Sequence, residues 1–276
     1  MQKEYKTAWF LEDRSNIDKS IYDIMTNAMA STRAFKNKQL FFQYFAFLYF
    51  SGRRRIEPFM DDVFIKRFME GDMKMVKIIS VNAKHFIKPK FFCLKCNAIT
   101  NSRAAIKQHL IEQNHYTKGE KSYIIKGKRK PHIQIFRIWN AYEQSLIDFL
   151  LQGRTEISIS FLPLLPKRFQ VLSKEDREKI LLAQSNEKET YLISITSKFK
   201  MFRARITNGR KGLDGWILPH MLRHMRAYNL LINKHIRSEI VQRLLGWNRK
   251  EMVDYYADIK NTLGEQEMIE IYRSMG

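Results

Sequence analysis

Two cysteines and two histidines constrain the local fold more tightly than any other feature of this chain. Cys93 and Cys96 enclose two residues, twelve residues separate Cys96 from His109, and five separate His109 from His115. A C-x2-C turn presents two thiolates to one ion, and two histidines on one helix add two imidazoles, which completes the tetrahedral set that Zn²⁺ prefers. Because four protein ligands leave no open position, the spacing predicts a structural zinc site.

The segment 91–118 resembles Cys2His2 zinc fingers, and the five-residue histidine spacing is most similar to the matrin type. Ile106 lies three residues before His109, where such fingers place an apolar residue under the metal, and Thr100 stands where many of them carry Phe. The resemblance implies a ββα finger inserted between two parts of a larger domain, residues 1–90 and 119–276.

The finger helix gives little basis for reading a DNA sequence. In fingers that read DNA, helix positions −1, 3 and 6 contact bases, and here these positions are Ser102, Ala105 and Gln108. Among them Gln108 is the one able to make a bidentate contact, with adenine. We therefore expect weak base readout, and a role in backbone positioning, protein contact or RNA binding stays open.

The charge balance points to a polyanionic partner. The 276 residues include 49 Lys and Arg against 28 Asp and Glu, a formal charge of +21. Solubility needs only interspersed charges, so an excess of this size favours nucleic acid as the partner, ahead of an anionic membrane surface. Hydrophobic residues make up 45% of the chain, which is typical of a globular protein and excludes a disordered tail.

The sequence gives little support to a membrane location. The N-terminal stretch MQKEYKTAWFLEDR lacks the apolar core and cleavage site of a signal peptide. The longest apolar run, LFFQYFAFLYF at residues 40–50, contains Gln43 and is too short to span a bilayer, so we interpret it as a buried helix. Two cysteines in one C-x2-C make no disulfide framework, which favours a reducing intracellular compartment, cytoplasmic or nucleoid-associated.

The hydrophobic pattern predicts an α+β fold, mainly α with a small antiparallel sheet. Helical spacing covers residues 15–50, and the second helix there ends at Ser51-Gly52. Residues 74–83 are typical of a strand, 121–137 of a hairpin turning at Gly127 with Pro131 at its exit, and 156–161 of a short strand. Further helices are predicted over 138–152, from Ser173, around 193–206, from Pro219, up to Gly246, and over 262–275.

Three motifs follow one another in the larger part of the chain: Ser51-Gly-Arg-Arg-Arg-Ile-Glu57, Pro219-His-Met-Leu-Arg-His-Met-Arg-Ala-Tyr228, and Leu245-Gly-Trp247, with Tyr256 nine residues further on. They resemble the T-G-x-R-x-x-E, H-x-x-R and L-G-[HW] motifs and the nucleophile of tyrosine recombinases, integrase-type enzymes that cut and rejoin DNA. The similarity runs over residues 15–275 and implies the tyrosine recombinase catalytic domain. The finger and the Arg-Ala-Tyr sequence are most similar to archaeal or archaeal-virus integrases.

The chemistry of DNA transesterification accounts for these residue types. Cleavage builds negative charge on a pentavalent phosphorane, and Arg54 and Arg223 would clamp its non-bridging oxygens. His220, one helical turn before Arg223, would hydrogen-bond the phosphate or accept the proton of the nucleophile. Trp247 would donate its indole N–H, and Tyr256 would attack, giving a 3′-phosphotyrosyl bond and a free 5′-hydroxyl. Since that bond keeps the phosphodiester energy, religation needs no ATP, and in-line attack between arginines needs no divalent metal.

Two assignments stay open within this site. The leaving 5′-oxygen needs a general acid, for which the family uses a lysine on a β-hairpin, and Lys126 and Lys84 compete for that role. We favour Lys126 because its Lys-Gly pair is predicted to turn between two strands, whereas Lys84 lies nearer to Arg54 in the sequence. Tyr255 is the alternative nucleophile to Tyr256.

The resemblance implies double-stranded DNA as the partner and a homotetramer assembled on DNA through the C-terminal helix. We expect Gln108 and five basic residues to contact DNA: Arg53, Arg55, Lys128, Arg129 and Lys130.

About 50 residues precede Arg54, so we expect the N-terminal helical domain that completes the family's DNA clamp to be missing or supplied in trans. Two rival functions stay open, a non-catalytic DNA-binding accessory protein on the same fold and a type IB-like topoisomerase.

Overall fold

A computed structural model describes the backbone of residues 16–116, 122–182, 190–193, 195–199 and 219–247, and their side chains apart from 82–89, 124–130, 220 and 221. The chain divides into two compact units. The first unit comprises Met1–Ser80 with Ile133–Gly276, and the second unit comprises Val81–His132. The predicted finger segment, 91–118, lies within the second unit.

The elements occur in the following chain order: α1 (Ile17–Ser31), α2 (Lys38–Ser51), β1 (Val63–Glu70), β2 (Met73–Cys93), β3 (Ile99–Thr100), α3 (Arg103–Glu112), β4 (Tyr123–Arg137), α4 (Ala141–Leu151), β5 (Glu156–Ile159), α5 (Lys167–Gln170), α6 (Lys174–Leu182), α7 (Pro219–Tyr228) and α8 (Ser238–Leu245). Short 3-10 turns lie at Glu57–Phe59 and Leu162–Leu164, and a π-helical turn at Asn229–Asn233. The predicted α+β class is confirmed.

Helix α2 forms the centre of the first unit. Every residue from Phe41 to Ser51 is buried, as expected for a helix that is apolar on all sides. It packs against α1, α4 and α7, and the ring centroid of Tyr44 lies 5.1 Å from that of Phe59 and 5.6 Å from that of Phe161. The prediction of a core helix in LFFQYFAFLYF is therefore confirmed.

The described strands form one sheet in the order β3-β2-β1-β5, with β4 also paired to β2. β1 and β2 are antiparallel, with Ile65 opposite Ile78, and β5 pairs antiparallel with the other edge of β1. Gly71, at φ +55°, occupies the turn between β1 and β2. Strand β1 is absent from the predicted elements, although Gly71-Asp72 between two alternating apolar runs is a two-residue hairpin signal.

One predicted strand is confirmed but longer than expected, and one predicted hairpin is wrong. The strand predicted at 74–83 is part of a longer one, since β2 continues as far as Cys93. Residues 121–137 do not form a hairpin, because β4 runs unbroken from Tyr123 to Arg137 with Gly127 inside it. Gly127 and Pro131 are both compatible with extended backbone, and β4 pairs with β2, a partner that the local pattern does not reveal.

The other predicted elements are confirmed where the structure describes them. α4 and β5 lie within the predicted ranges 138–152 and 156–161, α6 begins one residue after Ser173, and α8 ends one residue before Gly246. Residues 190–193 and 195–199 are helical, and the remainder of the helix predicted around 193–206 lies outside the described residues. So does the helix predicted over 262–275.

A buried network of charges joins α1, α2, α4 and α7. The Nη1 atom of Arg226 lies 2.6 Å from Oε1 of Glu143 and 3.6 Å from Oδ1 of Asp18. Tyr49 donates its hydroxyl to Asp18 at 2.6 Å, and the Nζ atom of Lys234 lies 2.9 Å from the same carboxylate. Burial raises the pKa of Asp18, but Arg226 and the bonds from Tyr49 and Lys234 outweigh burial and hold that pKa below its ordinary value.

Over the described ranges, none of the helices combines the length and the apolar character that crossing a bilayer requires.

Candidate active site and metal centre

The first motif begins where helix α2 ends. Gly52 follows the last helical residue in a left-handed conformation, at φ +60°, and its N–H donates to the carbonyls of Leu48 and Tyr49. A Cβ at Gly52 would overlap the side chain of Leu245, at the end of α8. Glycine is therefore required both for the backbone conformation and for the close approach of the two helix ends.

Arg54, the predicted first catalytic arginine, is oriented by the glutamate of its own motif. The backbone N–H of Arg54 donates to Oε2 of Glu57 at 3.1 Å, and Nη1 of Arg54 lies 3.6 Å from Oε1 of the same residue. Glu57 is buried, whereas the side chain of Arg54 is 30% exposed. The buried carboxylate of Glu57 thus fixes the position of the partly exposed Arg54.

Arg53 lies inside the first unit, with 1% of its surface exposed. Its Nε donates to Oε1 of Gln134 at 3.2 Å, and its Nη1 lies 3.7 Å from Oε2 of Glu57. Burial lowers the pKa of Arg53 to about 10, so the side chain keeps its charge at neutral pH. This burial argues against direct contact with DNA in this conformation, although DNA binding by Arg53 stays a prediction. Arg55 is half-buried, and its carbonyl accepts a hydrogen bond from Tyr44.

Arg223, the predicted second arginine, lies on α7 and joins two helix ends. Its Nη1 donates to the carbonyl of Gly52 at 2.6 Å, and its Nη2 donates to the carbonyl of Leu245 at 3.0 Å. The last carbonyls of a helix have no partner within that helix and carry its negative dipole end, so a buried cation is well matched to them. Only the backbone of His220, one turn earlier on α7, belongs to the described part of the chain.

Trp247 lies beside Arg223. Helix α8 ends at Leu245, and Gly246 takes the left-handed conformation at φ +65°. The backbone N–H of Trp247 donates to the carbonyl of Gln242, and its indole is buried. The guanidinium carbon of Arg223 lies 5.4 Å from the centroid of the indole ring. The structure therefore brings Arg223 and Trp247 to the point where the segment bearing Arg54 leaves α2.

For the remaining predicted catalytic residues the structure describes the backbone at most. Lys84 lies on β2 and Lys126 on β4, both in the second unit, and neither side chain is described. The sequence favours Lys126 because it predicts a Lys-Gly turn between two strands. That turn does not form, because β4 is continuous. Lys128, Arg129 and Lys130 also lie on β4 and their side chains are not described, and Tyr255 and Tyr256 lie outside the described residues.

The predicted metal ligands come together in the second unit. Their four ligand atoms lie within 4.8 Å of one another, with Sγ of Cys93 3.4 Å from Nδ1 of His115 and Sγ of Cys96 3.1 Å from Nε2 of His109. In a zinc tetrahedron, bonds of about 2.3 Å to sulfur and about 2.0 Å to nitrogen separate neighbouring ligands by about 3.5 Å. Two thiols and two imidazoles at these distances could hold a metal ion.

Hydrogen bonding makes one thiol acidic. Burial raises the pKa of Cys93, but the backbone N–H groups of Cys96 and Lys95 and the side chain of His109 outweigh burial and lower that pKa to about 6. The thiolate is the form that binds metal.

The backbone around these ligands has the ββα order. Phe91 and Phe92, at the end of β2, pair with β3, and α3 follows with Ser102 as its N-cap. A small apolar cluster lies underneath, formed by Phe91, Cys93, Ile106 and Leu110 with Ala98 and Tyr123 against it. Ile106 is fully buried, which confirms the inward position expected for it. Phe91, which precedes the first cysteine, supplies the aromatic ring that Thr100 cannot.

Of the three helix positions that read bases in other fingers, two make side-chain hydrogen bonds within the finger helix. The hydroxyl of Ser102 accepts the N–H of Ala105 at 3.1 Å, and the amide of Gln108 donates to Glu112 at 2.7 Å. Contact of Gln108 with DNA stays a prediction.

Comparison with known families identifies one match. Residues 154–262 match the model of the phage integrase family, and this range includes the positions of His220, Arg223, Trp247 and Tyr256 but not that of Arg54. Searches among curated proteins and among solved structures found no match. The family match supports a relationship to tyrosine recombinases over the C-terminal part of the chain.

Proposed function

We propose that this protein is a site-specific DNA recombinase or integrase that cuts and rejoins DNA through a 3′-phosphotyrosyl intermediate. One observation carries the proposal: Arg223, which lies in the segment matching the phage integrase family, donates to the carbonyl of Gly52 two residues before Arg54, and its guanidinium lies against the ring of Trp247. Residues of all three motifs, Gly52, Arg223 and Leu245, therefore lie together in the first unit.

The proposed reaction uses these residues as follows. The Tyr256 hydroxyl gives its proton to His220, its Oη atom attacks a DNA phosphorus, and the bond from phosphorus to the 5′-oxygen breaks. Arg54 and Arg223 stabilise the charge on the non-bridging oxygens, with Trp247 as a further hydrogen-bond donor to the phosphate. A lysine, either Lys84 or Lys126, gives its proton to the leaving 5′-oxygen. Attack by a 5′-hydroxyl on the phosphotyrosine reverses these steps without ATP or a divalent metal.

We further propose that Cys93, Cys96, His109 and His115 bind one structural Zn²⁺. The donor set of two thiolates and two imidazoles, the distances between ligand atoms and the ββα backbone support this assignment. A bound ion would fix the end of β2 to α3. The second unit would then contain a zinc finger, residues 91–118, inserted in the recombinase domain.

The proposed partner is double-stranded DNA. A formal charge of +21 supports it, since phosphate neutralisation supplies most of the affinity of DNA-binding proteins. A homotetramer on DNA and the archaeal type are carried by the sequence resemblance alone.

The decisive experiment is covalent capture. The full chain is incubated with nicked duplex substrates that trap cleavage, carrying candidate attachment sequences from its own genomic context. Cleavage is read as a covalent protein–DNA band on a denaturing gel. We expect wild-type protein and the neighbouring control Tyr255→Phe to give the band and Tyr256→Phe to give none.

Each other outcome selects a rival. A band that survives in Tyr256→Phe and disappears in Tyr255→Phe moves the nucleophile to Tyr255. DNA binding without a band on any substrate favours the accessory protein. Relaxation of supercoiled DNA without site preference favours the topoisomerase.

A further inference from the structure

Gln134 is a polar residue in the deepest part of the first unit. It is 0% exposed, whereas its apolar neighbours Ile133 and Ile135 are 56% and 46% exposed. Strand β4 therefore turns two isoleucines toward solvent and a glutamine inward. Because a buried amide is costly unless its hydrogen bonds are made, this orientation requires partners.

Both N–H groups and the oxygen of the Gln134 amide have hydrogen-bond partners. Its Nε2 donates to the carbonyl of Ser51 at 2.8 Å and to the carbonyl of Leu244 at 2.6 Å. Its Oε1 accepts from Nε of Arg53 at 3.2 Å. The reverse orientation of the amide would face oxygen to two carbonyls and NH₂ to a donor, so the network allows one orientation only.

These carbonyls belong to the two helix ends that Arg223 also joins. Gln134 links Ser51 of α2 to Leu244 of α8, and Arg223 links Gly52 to Leu245, one residue further along each chain. The two side chains thus form consecutive rungs between the same helix ends. The chain beyond one end carries Arg53 and Arg54, and the chain beyond the other carries Trp247.

We propose that Gln134 is a positioning residue for the DNA strand-transfer site, which fixes the register between the ends of α2 and α8. It holds Arg53 directly, and through the two carbonyls it sets where Arg54 and Trp247 leave their helices. Gln134 does not touch the substrate. This inference rests on the proposed function for its catalytic consequence, while the register itself is a property of the fold.

The test compares Gln134→Met with a matched control. Methionine keeps the length of the side chain and removes all three hydrogen bonds. Phe136→Leu serves as the control because Phe136 is buried two residues along the same face of β4, 5.3 Å from the ring of Phe50, and its apolar ring has no hydrogen bond to either helix end to lose. Both variants are assayed well below their melting temperatures, so that loss of folded protein does not contribute.

The first measurement is hydrogen exchange by mass spectrometry on the full chain. We expect Gln134→Met to raise exchange at the amides of residues 52–54 and 243–247, a set that leaves out Phe50, against which Phe136 packs, by about tenfold or more and to leave α1 unchanged. Phe136→Leu should leave both junction peptides as in wild type. Unchanged exchange at the two junctions in Gln134→Met would overturn the proposal.

The second measurement separates positioning from binding. Single-turnover cleavage of the nicked duplex at saturating DNA should fall roughly 10–100-fold in Gln134→Met, since small misplacements cost rates of that order, while DNA affinity stays within about threefold. An equal loss of rate in Phe136→Leu would contradict a positioning role. If wild-type protein forms no covalent complex, the proposed function fails, and the exchange result alone supports or overturns the register.

Discussion

The two units build their interiors by different means. The first unit buries the stretch of α2 from Phe41 to Ser51 and the charge network around Asp18 and Arg226. The second unit, residues 81–132, has a described core of four buried residues under a set of metal ligands. A segment of about 50 residues is near the lower limit at which apolar burial alone is sufficient. We therefore expect side-chain packing to stabilise the first unit and a bound metal ion to stabilise the second.

The largest expected effect is loss of the metal. Chelation, or the variant Cys96→Ser, should unfold the finger, because the binding free energy of structural zinc, about 10–16 kcal/mol in finger peptides, is coupled to folding. Amide protection in α3 should disappear and the zinc content should fall from about one per chain to none, while the thermal transition of the first unit stays. Lys95→Ser, in the exposed turn between the cysteines, is the control. Full protection of α3 in a chelator would contradict the comparison.

The next effect concerns the buried charges of the first unit. Arg226→Met should destabilise it by about 4 kcal/mol, because Glu143 and Asp18 would keep buried charges without their main partner. Arg67→Met is the control, since Arg67 pairs with Asp148 at the surface, where both side chains are substantially exposed, and should cost less than about 1 kcal/mol. Urea unfolding at pH 7 measures both, and equal losses would show that burial has no influence here.

A third effect depends on pH. Asp18→Asn should cost about 3 kcal/mol at pH 7, from the hydrogen bonds and ion pairs of a buried carboxylate. Because the pKa of Asp18 is lowered in the folded state, its stabilisation is present above the unfolded pKa of about 3.9 and is lost as pH falls through the folded value. The difference in unfolding free energy between wild type and variant should therefore shrink below about pH 4. A constant difference from pH 7 to pH 3 would rule out this linkage.

An effect of similar size is expected at the junction of α2 and α8. Gly52→Ala should cost about 3 kcal/mol, because a side chain there is strained at positive φ and also overlaps Leu245. Gly153→Ala is the control, since Gly153 has φ +76° but a Cβ added there would meet no described atom within 4 Å, and should cost about 1 kcal/mol. Thermal unfolding compares the two, and similar losses would show that the close approach at Gly52 contributes little.

The smallest effect compares the N-cap of one helix in each unit. Asn140 caps α4 and Ser102 caps α3, each by accepting a backbone N–H three residues later, and Asn140 also donates to Asp18 at 2.8 Å. Asn140→Ala should lower the stability of the first unit by about 2 kcal/mol, through loss of the cap and of the bond to Asp18. Ser102→Ala should leave the melting of the first unit unchanged and should reduce amide protection only in α3. A shift of the main transition in Ser102→Ala would mean that the two units unfold together.

Local signals made part of this structure predictable from the sequence. The Cys and His spacing identified four side chains that do come together, and the largely apolar run at residues 40–50 identified the core helix. Gly52 and Gly246 marked helix ends because the left-handed conformation is a requirement of single residues. Each of these features depends on residue type and spacing within a short stretch of chain.

Long-range contacts explain what was not predictable. Gly127 and Pro131 suggested a turn, yet β4 is extended and pairs with β2. Arg53 and Arg54 are adjacent basic residues in one motif, and only the packed interior shows that the first is buried and the second partly exposed. Nothing in the local sequence distinguishes these two environments.

The sequence by itself determined the Cys and His set that could hold a metal ion, the helix ends and the order of the motifs, because these depend on residue type and spacing. Only the tertiary structure decided which face of β4 is buried. The alternation around Ile133-Gln134-Ile135 favours burial of the isoleucines, whereas the fold buries Gln134. The physical reason is that Ser51, Leu244 and Arg53, which lie about 80 to 110 residues away in the chain, satisfy its amide completely, and no local pattern contains those partners.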